Sequence, residues 1–324
     1  MIVKGKPFLL VITGPTACGK TAFSNLITKE ISAQIINADV GQFYTKLSIG
    51  TAKPNLEKQE IKHHLFDVLD EPKDLSVFEY SKMAFQKIND IFSQNQIPIL
   101  VGGSLFYIKS LFFIPKELEQ KDFFYKINLQ EYKTEDLWNL LNKIDPQRAQ
   151  KIHKNDIYRI KRALDIWQKT GIAPSQQKPV FDLKFNTIFV FIDLDKKILD
   201  EKINHRTIQM LKKDGWIEEA ESLMNTDWQD FVIKKNLIGY KEIFEWIKQG
   251  KKEKEFDKLV QTIQCKTRQY AKKQIKFWKS FKKELEQNKE NTEFIYSIIS
   301  VNNIEKSAYL MVKEALQQFI DILK

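Results

Sequence analysis

The chain of 324 residues is 43% hydrophobic and 29% charged, and its 52 lysines and arginines against 42 acidic residues leave a formal net charge of +10. No apolar run approaches the roughly 20 residues of a bilayer span, and the opening MIVKGKPFLLVITG breaks at Gly14 without a small-residue cleavage site, so a cytoplasmic protein with no membrane partner is expected. Two cysteines, Cys18 and Cys265, lie far apart and outside any metal-ligand spacing, which argues against a disulfide scaffold or structural zinc.

The positive balance favours an anionic partner larger than one phosphate, although a lysine-rich genome produces the same charge. The length implies one large domain with an insertion, or two domains.

In chain order, the first predicted element is a buried strand, PFLLVI at residues 7–12, followed by GPTACGKT and then by helical spacing that places Ala22, Leu26 and Ile27 on one face. The turn fits G-x-x-x-x-G-K-[ST]. Gly14 and Gly19 let the backbone curl so that N–H groups converge on an anion. Pro15, Thr16, Ala17 and Cys18 supply the loop between them, and the helix that follows adds its positive dipole end. Lys20 is the phosphate lysine, and Thr21 is the hydroxyl that would face a magnesium ion, Mg2+.

Next come a strand over AQIINAD at 33–39, a helix at 77–94 and a strand over IPILVGG at 97–103 that leads into LFYIKSLFF. This alternation predicts an α/β fold, a P-loop NTPase-like parallel sheet with helices on both faces. Residues 113–183 look polar and helical, and are expected to form a mainly helical insertion into a core made of 1–112 and 184–324. NTIFVFIDLD at 186–195 restores the strand pattern, after which the chain reads as helical, with one more possible strand at 294–300.

Motor and switch NTPases usually end a buried strand in an aspartate that helps to hold magnesium. Here IPILVGG ends in two glycines and Ser104. A transferase that moves a group onto a bound acceptor fits better, with Asp39 as its natural base. Neighbouring strand ends share one crevice, which would put Asp39 and Ser104 beside the diphosphate. The alternatives at this point are that Asp39 caps a helix or holds magnesium-bound water, and that Ser104 caps the helix after it.

Seven blocks, in order, resemble the tRNA dimethylallyltransferase (tRNA isopentenyltransferase) family: GPTACGKT, NADVGQFYTKLSIGTAKP, HHLFD, VGGSLFYIKSL, DPQRAQKIHKNDIYRIKRALDIWQKTG, IGYKE and TRQYAKKQ. The resemblance implies transfer of a dimethylallyl group from dimethylallyl diphosphate to N6 of the adenosine on the 3′ side of the anticodon, with release of pyrophosphate. It implies Asp39 as the base, Ser104 in the place of a family threonine, and Arg206 near the diphosphate with Lys20. Read without the resemblance, Arg206 is a solvated helix residue.

The resemblance also implies a tRNA anticodon stem-loop as partner, met by Asp39, Val40, Gly41, Gln42 and Ser104, by Tyr158, Arg159, Ile160, Lys161 and Arg162, and by Asn236, Leu237, Ile238, Gly239, Tyr240 and Lys241. Reaching a stacked base requires flipping it out, and holding the stem-loop requires a basic surface. Arg268, Lys272, Lys276, Lys279 and Lys283 recur every three or four residues, with Tyr270, Gln274, Phe277 and Phe281 on the opposite face. They are read as a basic stripe over a packing face or, alternatively, as a solvated lysine face. Phe43 and Tyr44 border the base pocket or pack in the core. A monomer is expected.

The chain departs from the family pattern at four places. DVGQFY replaces the common D-S-M-Q-V-Y, and Leu105 follows Ser104 where glycine or another residue is usual. Lys202 stands where many relatives carry arginine, exchanging a bidentate clamp for a point charge. The stretch between Leu111 and Asp145 is short and lacks a clear equivalent of an arginine that contacts tRNA. Transfer to free AMP, ADP or ATP, a P-loop small-molecule kinase, and a catalytically weakened RNA-binding relative remain as alternatives.

Overall fold

The structure, a computed structural model, describes residues 8–114, 132–177, 179–290, 292, 294, 296–302, 310, 313, 314 and 317. The chain divides into two compact units, Met1–Phe112 with Leu183–Lys324, and Phe113–Asp182. The first unit opens with β1 (Phe8–Thr13), the glycine turn and α1 (Lys20–Thr28). It continues through β2 (Ala33–Asn37), β3 (His63–His64), α2 (Val77–Ser93), β4 (Ile97–Gly102) and α3 (Leu105–Ser110). The second unit holds β5 (Phe113–Ile114), α4 (Thr134–Ile144), α5 (Pro146–Ala149), α6 (Ile157–Thr170) and β6 (Val180–Phe181). The first unit then resumes with β7 (Asn186–Ile192), α7 (Lys196–Lys212), α8 (Trp216–Leu223), α9 (Asp227–Lys234), α10 (Tyr240–Lys248), α11 (Phe256–Gln287) and β8 (Tyr296–Val301).

Six strands form one sheet in the order β3-β2-β4-β1-β7-β8, with every neighbouring pair parallel. β1, β2, β4 and β7 are buried along their whole length. A parallel sheet covered on both faces requires this, and it is why these segments read as mainly apolar runs, with polar residues such as Thr13, Gln34, Asn37, Asn186 and Thr187 at or near their ends. Alternation along each strand then sorts the side chains. Leu10, Ile12, Ile99 and Val190 join Phe23 and Ile27 of α1 and Leu199 and Ile203 of α7 in one cluster. Phe189 and Phe191 instead meet Phe112, Trp278 and Phe281, with Phe191 stacked on Trp278 at 4.7 Å between centroids.

The expected parallel α/β sheet is therefore present, with a helical C-terminal part. Sequence pattern misses β3, β5 and β6, because two residues carry no periodicity.

The sheet positions the site through the ends of three adjacent strands. Thr13 Oγ1 donates to the Gly102 carbonyl at 2.8 Å, Ala38 N–H to Val101 O at 2.8 Å, and Ser104 N–H to Ala38 O at 3.1 Å. A Cβ on Gly102 would overlap the Ala38 carbonyl, so β2 and β4 meet here backbone to backbone. β2 ends at Asn37, which leaves Asp39 just beyond the ladder.

Within the second unit, α4, α5 and α6 pack around Leu137, Leu141, Ala149, Ile152, Ile160, Ala163 and Leu164. Asp156 caps α6 by accepting from the Arg159 N–H at 3.1 Å, and Gly171 ends it in the left-handed region at φ 67°. β5 and β6 form a short antiparallel pair.

Candidate active site

The glycine turn is held by contacts that its sequence only partly announces. Gly19 has φ 95° and Ala17 φ 64°, while a Cβ on Gly14 would lie 2.8 Å from both Cys18 Sγ and Ile192 O. Lys20 Nζ folds back over the loop and donates to Pro15 O at 3.0 Å and Gly14 O at 3.2 Å. Cys18 points into the hydrophobic core, and burial pushes its thiol pKa up. Within the cradle it therefore offers only its backbone. Thr21 is exposed in the first turn of α1.

Asp39 stands at the first position before a short 3-10 turn, Val40–Phe43, but its side chain makes no capping bond. Its Oδ2 accepts from the Gly103 N–H at 3.3 Å. Burial raises the carboxyl pKa, against the opposing pull of Lys20, the Gly103 N–H, Arg206 and Ser104. A Cβ on Gly103 would be 3.4 Å from both Asp39 Oδ2 and Lys20 Nζ, so the carboxylate and the ammonium flank that glycine.

Ser104 likewise occupies a cap position without capping. Its Oγ accepts from the Val40 N–H at 3.0 Å and interacts with both Asp39 and Tyr270. The plain capping readings of Asp39 and Ser104 therefore fail. The solvated reading of Arg206 fails as well: the side chain reaches from α7 to donate Nη2 to Thr16 Oγ1 at 2.5 Å. Lys202, one turn earlier, is exposed.

A cavity of about 480 Å³ opens beside these groups. Thr16, Asp39, Ser104, Arg206 and Gln274 make a polar end, and Val40, Leu105, Phe106, Met210, Trp216, Leu237, Ile238 and Phe277 make much of the remaining wall. Gly41 also lines it, and a Cβ there would meet Thr51 Cγ2 at 2.8 Å, so the threonine methyl holds space that a larger residue would need. Gln42 is engaged in fastening the neighbouring loop, donating to Thr51 O at 3.1 Å and Ala52 O at 3.2 Å. Phe43 and Tyr44 are core residues, packed on Tyr80 and Tyr107 and on Trp228 and Phe231 respectively.

Asn236, Leu237 and Ile238 line the cavity and Lys241 is exposed, whereas Gly239 and Tyr240 are buried. Tyr240 still contributes to the wall and donates its hydroxyl to Glu219 Oε1 at 2.8 Å. The Glu219 carboxylate also accepts from the N–H groups of Ser48 (2.7 Å), Ile49 (2.7 Å) and Gly50 (2.9 Å). It thereby clamps the turn that carries Gly50 and Thr51 into the wall.

The structure revises the reading of α11. Its buried seam runs through Thr267, Ala271, Gln274, Trp278, Phe281 and Leu285, while Tyr270 and Phe277 face the cavity and do not join that seam. Lys272, Lys276, Lys279 and Lys283 are exposed, but Arg268 is half-buried and donates Nη1 to Asn204 Oδ1 at 2.5 Å. In the second unit, Tyr158 is 75% exposed, and the side chains of Arg159 and Arg162 are exposed while pairing with Asp156 and Asp165. Lys161 is partly exposed. Ile160 is corrected: at 0% exposure it belongs to that unit's core and offers nothing to an RNA.

Sequence reasoning did not single out Glu219 or Trp216, and it read Gln274 and Tyr270 only as members of a packing face. Gln274 alone left a signal, as an amide at a spacing otherwise occupied by apolar residues.

A phosphate loop beside a strand, β4, that ends in glycines where motor NTPases carry an aspartate, opening into a cavity that is polar at one end and largely apolar elsewhere, defines a group transferase of the P-loop class. The family model described as IPP transferase matches residues 42–281. A tRNA dimethylallyltransferase of Petrotoga mobilis is 36% identical over 281 residues, covering 84% of this chain and 90% of that protein. One from Thermoanaerobacter sp. (strain X514) is 34% identical over 287 residues, covering 84% and 89%. Among solved structures, a tRNA delta(2)-isopentenylpyrophosphate transferase from Staphylococcus epidermidis aligns over 97% of this chain and 98% of its own, with TM-score 0.62 and 28% identity. A eukaryotic dimethylallyltransferase acting on tRNA shares the fold, with TM-score 0.75 at 24% identity over 98% of this chain and 80% of that one. The chain belongs to the IPP transferase family.

Proposed function

We propose that this enzyme transfers a dimethylallyl group from dimethylallyl diphosphate to N6 of the adenosine 3′-adjacent to the anticodon of tRNA, releasing pyrophosphate. The observation that carries the reading is the cavity itself. One end brings together Thr16 of the phosphate loop, Arg206 and the carboxylate of Asp39, whose pKa is raised, with Lys20 on the other side of Gly103 from that carboxylate, and much of the remaining wall is apolar. Such a space suits a donor with a charged head and a branched C5 tail, together with a planar base.

Lys20, Arg206 and the loop N–H groups bind the diphosphate and stabilise the charge that builds on it as the C1–O bond breaks. The N6 lone pair is delocalised into the ring, so a base that takes its proton during attack matters. Asp39 accepts that proton as the N6–C1 bond forms, and Ser104 orients the amine. The apolar wall keeps water from competing for the allylic carbon.

Thr21 offers a hard hydroxyl oxygen at the loop's end, and among the described residues no group of three or more His, Cys, Asp or Glu side chains gathers to hold a metal. That donor set fits magnesium, which keeps waters and takes substrate phosphate oxygens in preference to an all-protein cage. Bound there by Thr21, the ion would supply charge neutralisation at the leaving group.

The RNA is gripped by the exposed lysines of α11 and by Tyr158, Arg159, Lys161 and Arg162. The described lining of the cavity comes from one chain, which suits a monomer, and a tRNA substrate supports a cytoplasmic location. No helix among the described residues is long and apolar enough to cross a membrane.

The test offers radiolabelled dimethylallyl diphosphate and magnesium in parallel to an anticodon stem-loop with adenosine at the modified position, to AMP and to ATP. Label on the stem-loop alone is expected. Label on a free nucleotide would move the acceptor to the nucleotide pool. No label on any acceptor, with RNA still bound, would leave only RNA binding.

A further inference from the structure

Gln274 lies in the middle of α11, 5% exposed, in a seam whose neighbours are Ala271, Trp278 and Phe281. A primary amide carries two donors and two acceptor sites, and burying it is unfavourable unless they are met. Two partners meet it here. Oε1 accepts from the Thr16 N–H at 2.8 Å, and Nε2 donates to the Gly103 carbonyl at 2.9 Å. This fixes the amide's orientation, because the flipped form would set donor against donor and acceptor against acceptor.

Both partners lead directly into the site. Thr16 belongs to the phosphate loop and accepts from Arg206 through its hydroxyl. Gly103 donates its own N–H to Asp39 Oδ2. A Cβ on Gly103 would come within 2.5 Å of Gln274 Nε2, so the absence of a side chain there is what admits the amide. One side chain, 258 residues along the chain from Thr16, thus links the diphosphate end to the base end.

We infer that Gln274 is a positioning residue that sets the phosphate loop and Asp39 in register, so that the leaving group and the attacking amine are held at reacting distance. The inference rests on the proposed transfer reaction. Misplacement of reacting groups by about 1 Å costs on the order of 100-fold in rate, and this is the scale expected when the bridge is lost.

Two variants separate the possibilities. Gln274→Leu keeps similar bulk and removes both hydrogen bonds. Gln274→Glu keeps the acceptor for Thr16 and sets an oxygen against the Gly103 carbonyl. Both are measured for kcat, for the KM of dimethylallyl diphosphate and of the stem-loop, for pyrophosphate affinity, and for hydrogen exchange of peptides containing Thr16, Asp39 and Gly103.

For Gln274→Leu, kcat is expected to fall about 100-fold, with KM and pyrophosphate affinity changed less than about three-fold and exchange faster at both loop and base peptides. In Gln274→Glu the acid limb of kcat/KM is also expected to move to higher pH, because a second carboxylate is added near Asp39, which already faces Lys20, Arg206, Tyr80 and Tyr270. Unchanged kcat in the leucine variant overturns the inference. So does pyrophosphate affinity falling in step with kcat, which would make Gln274 a substrate ligand. The unaltered enzyme reports separately on the reaction: if it transfers nothing, the exchange measurement still decides the coupling, and unchanged exchange at Asp39 and Gly103 refutes it. Should the leucine variant fail to fold, the glutamate variant carries the same readouts.

Discussion

Asp39→Asn removes one charge and preserves shape. The amide oxygen still faces the Gly103 N–H that donates to Oδ2 at 3.3 Å, so the junction of β2 with β4 is expected to hold. What disappears is the proton acceptor, and loss of a general base costs about 100- to 10,000-fold. The effect on the donor has the opposite sign. Asp39 interacts with Lys20 and Arg206, the cations that would hold the diphosphate, and as an anion it repels that same ligand. Two unit charges about 8 Å apart at an effective dielectric near 20 interact by about 2 kcal/mol. With roughly half of that screened at an open cavity, about 1 kcal/mol remains, or close to five-fold tighter pyrophosphate.

Single-turnover transfer to the stem-loop gives the first quantity, and calorimetric titration with pyrophosphate the second. Turnover within about ten-fold of the unaltered enzyme would remove Asp39 as the base. Pyrophosphate affinity lost in step with turnover would place Asp39 in the binding cradle. The pH dependence follows from the same burial. The base acts only when deprotonated and its pKa is raised, so kcat/KM should climb with pH through a value above the ordinary aspartate figure of about 4. That limb should be missing in Asp39→Asn.

Replacing Lys272, Lys276 and Lys279 with alanine should flatten the salt dependence of stem-loop binding by a slope of about two to three, while pyrophosphate affinity is unchanged; an unaltered slope would mean that the RNA lies elsewhere. Tyr158→Ala should weaken stem-loop binding with no loss of stability, whereas Ile160→Ala should cost about 2–5 kcal/mol of stability through a cavity in the second unit's core; thermal melts beside binding isotherms separate the two. Glu219→Ala should cost about 2–3 kcal/mol, since bonds to charged acceptors contribute about 1.5–3 kcal/mol each but water replaces part of the loss at a half-buried site. A melt shifted by less than about 2 °C would show that the Ser48–Gly50 turn does not depend on that clamp.

Sequence alone determined those features whose physics is local. The phosphate loop is legible because its demands fall on consecutive residues: glycine where the backbone turns or crowds, lysine at the helix start, and an apolar run before them. β1, β2, β4 and β7 are legible because a parallel sheet buried on both faces favours apolar side chains along each strand, with the buried polar ones at or near the strand ends. Asp39 and Ser104 follow from the rule that neighbouring parallel strands deliver their ends to one crevice.

Tertiary structure decided the rest, wherever a side chain's meaning depends on what a distant segment places against it. The resemblance put Ile160 in a tRNA-contacting stretch, and without it Arg206 read as a solvated helix residue, yet the first is sealed in the second unit's core and the second reaches the loop. α11 has 32 residues and meets the sheet, the cavity and solvent in turn, so a single helical period groups Tyr270, Gln274 and Phe277 on one packing face and cannot tell that Gln274 joins the buried seam while Tyr270 and Phe277 face the cavity. Gln274 is the clearest instance. Its partners, Thr16 and Gly103, lie at the ends of two different strands, and only the folding of the sheet brings a loop amide and a strand-end carbonyl to the spacing that one buried side-chain amide can bridge.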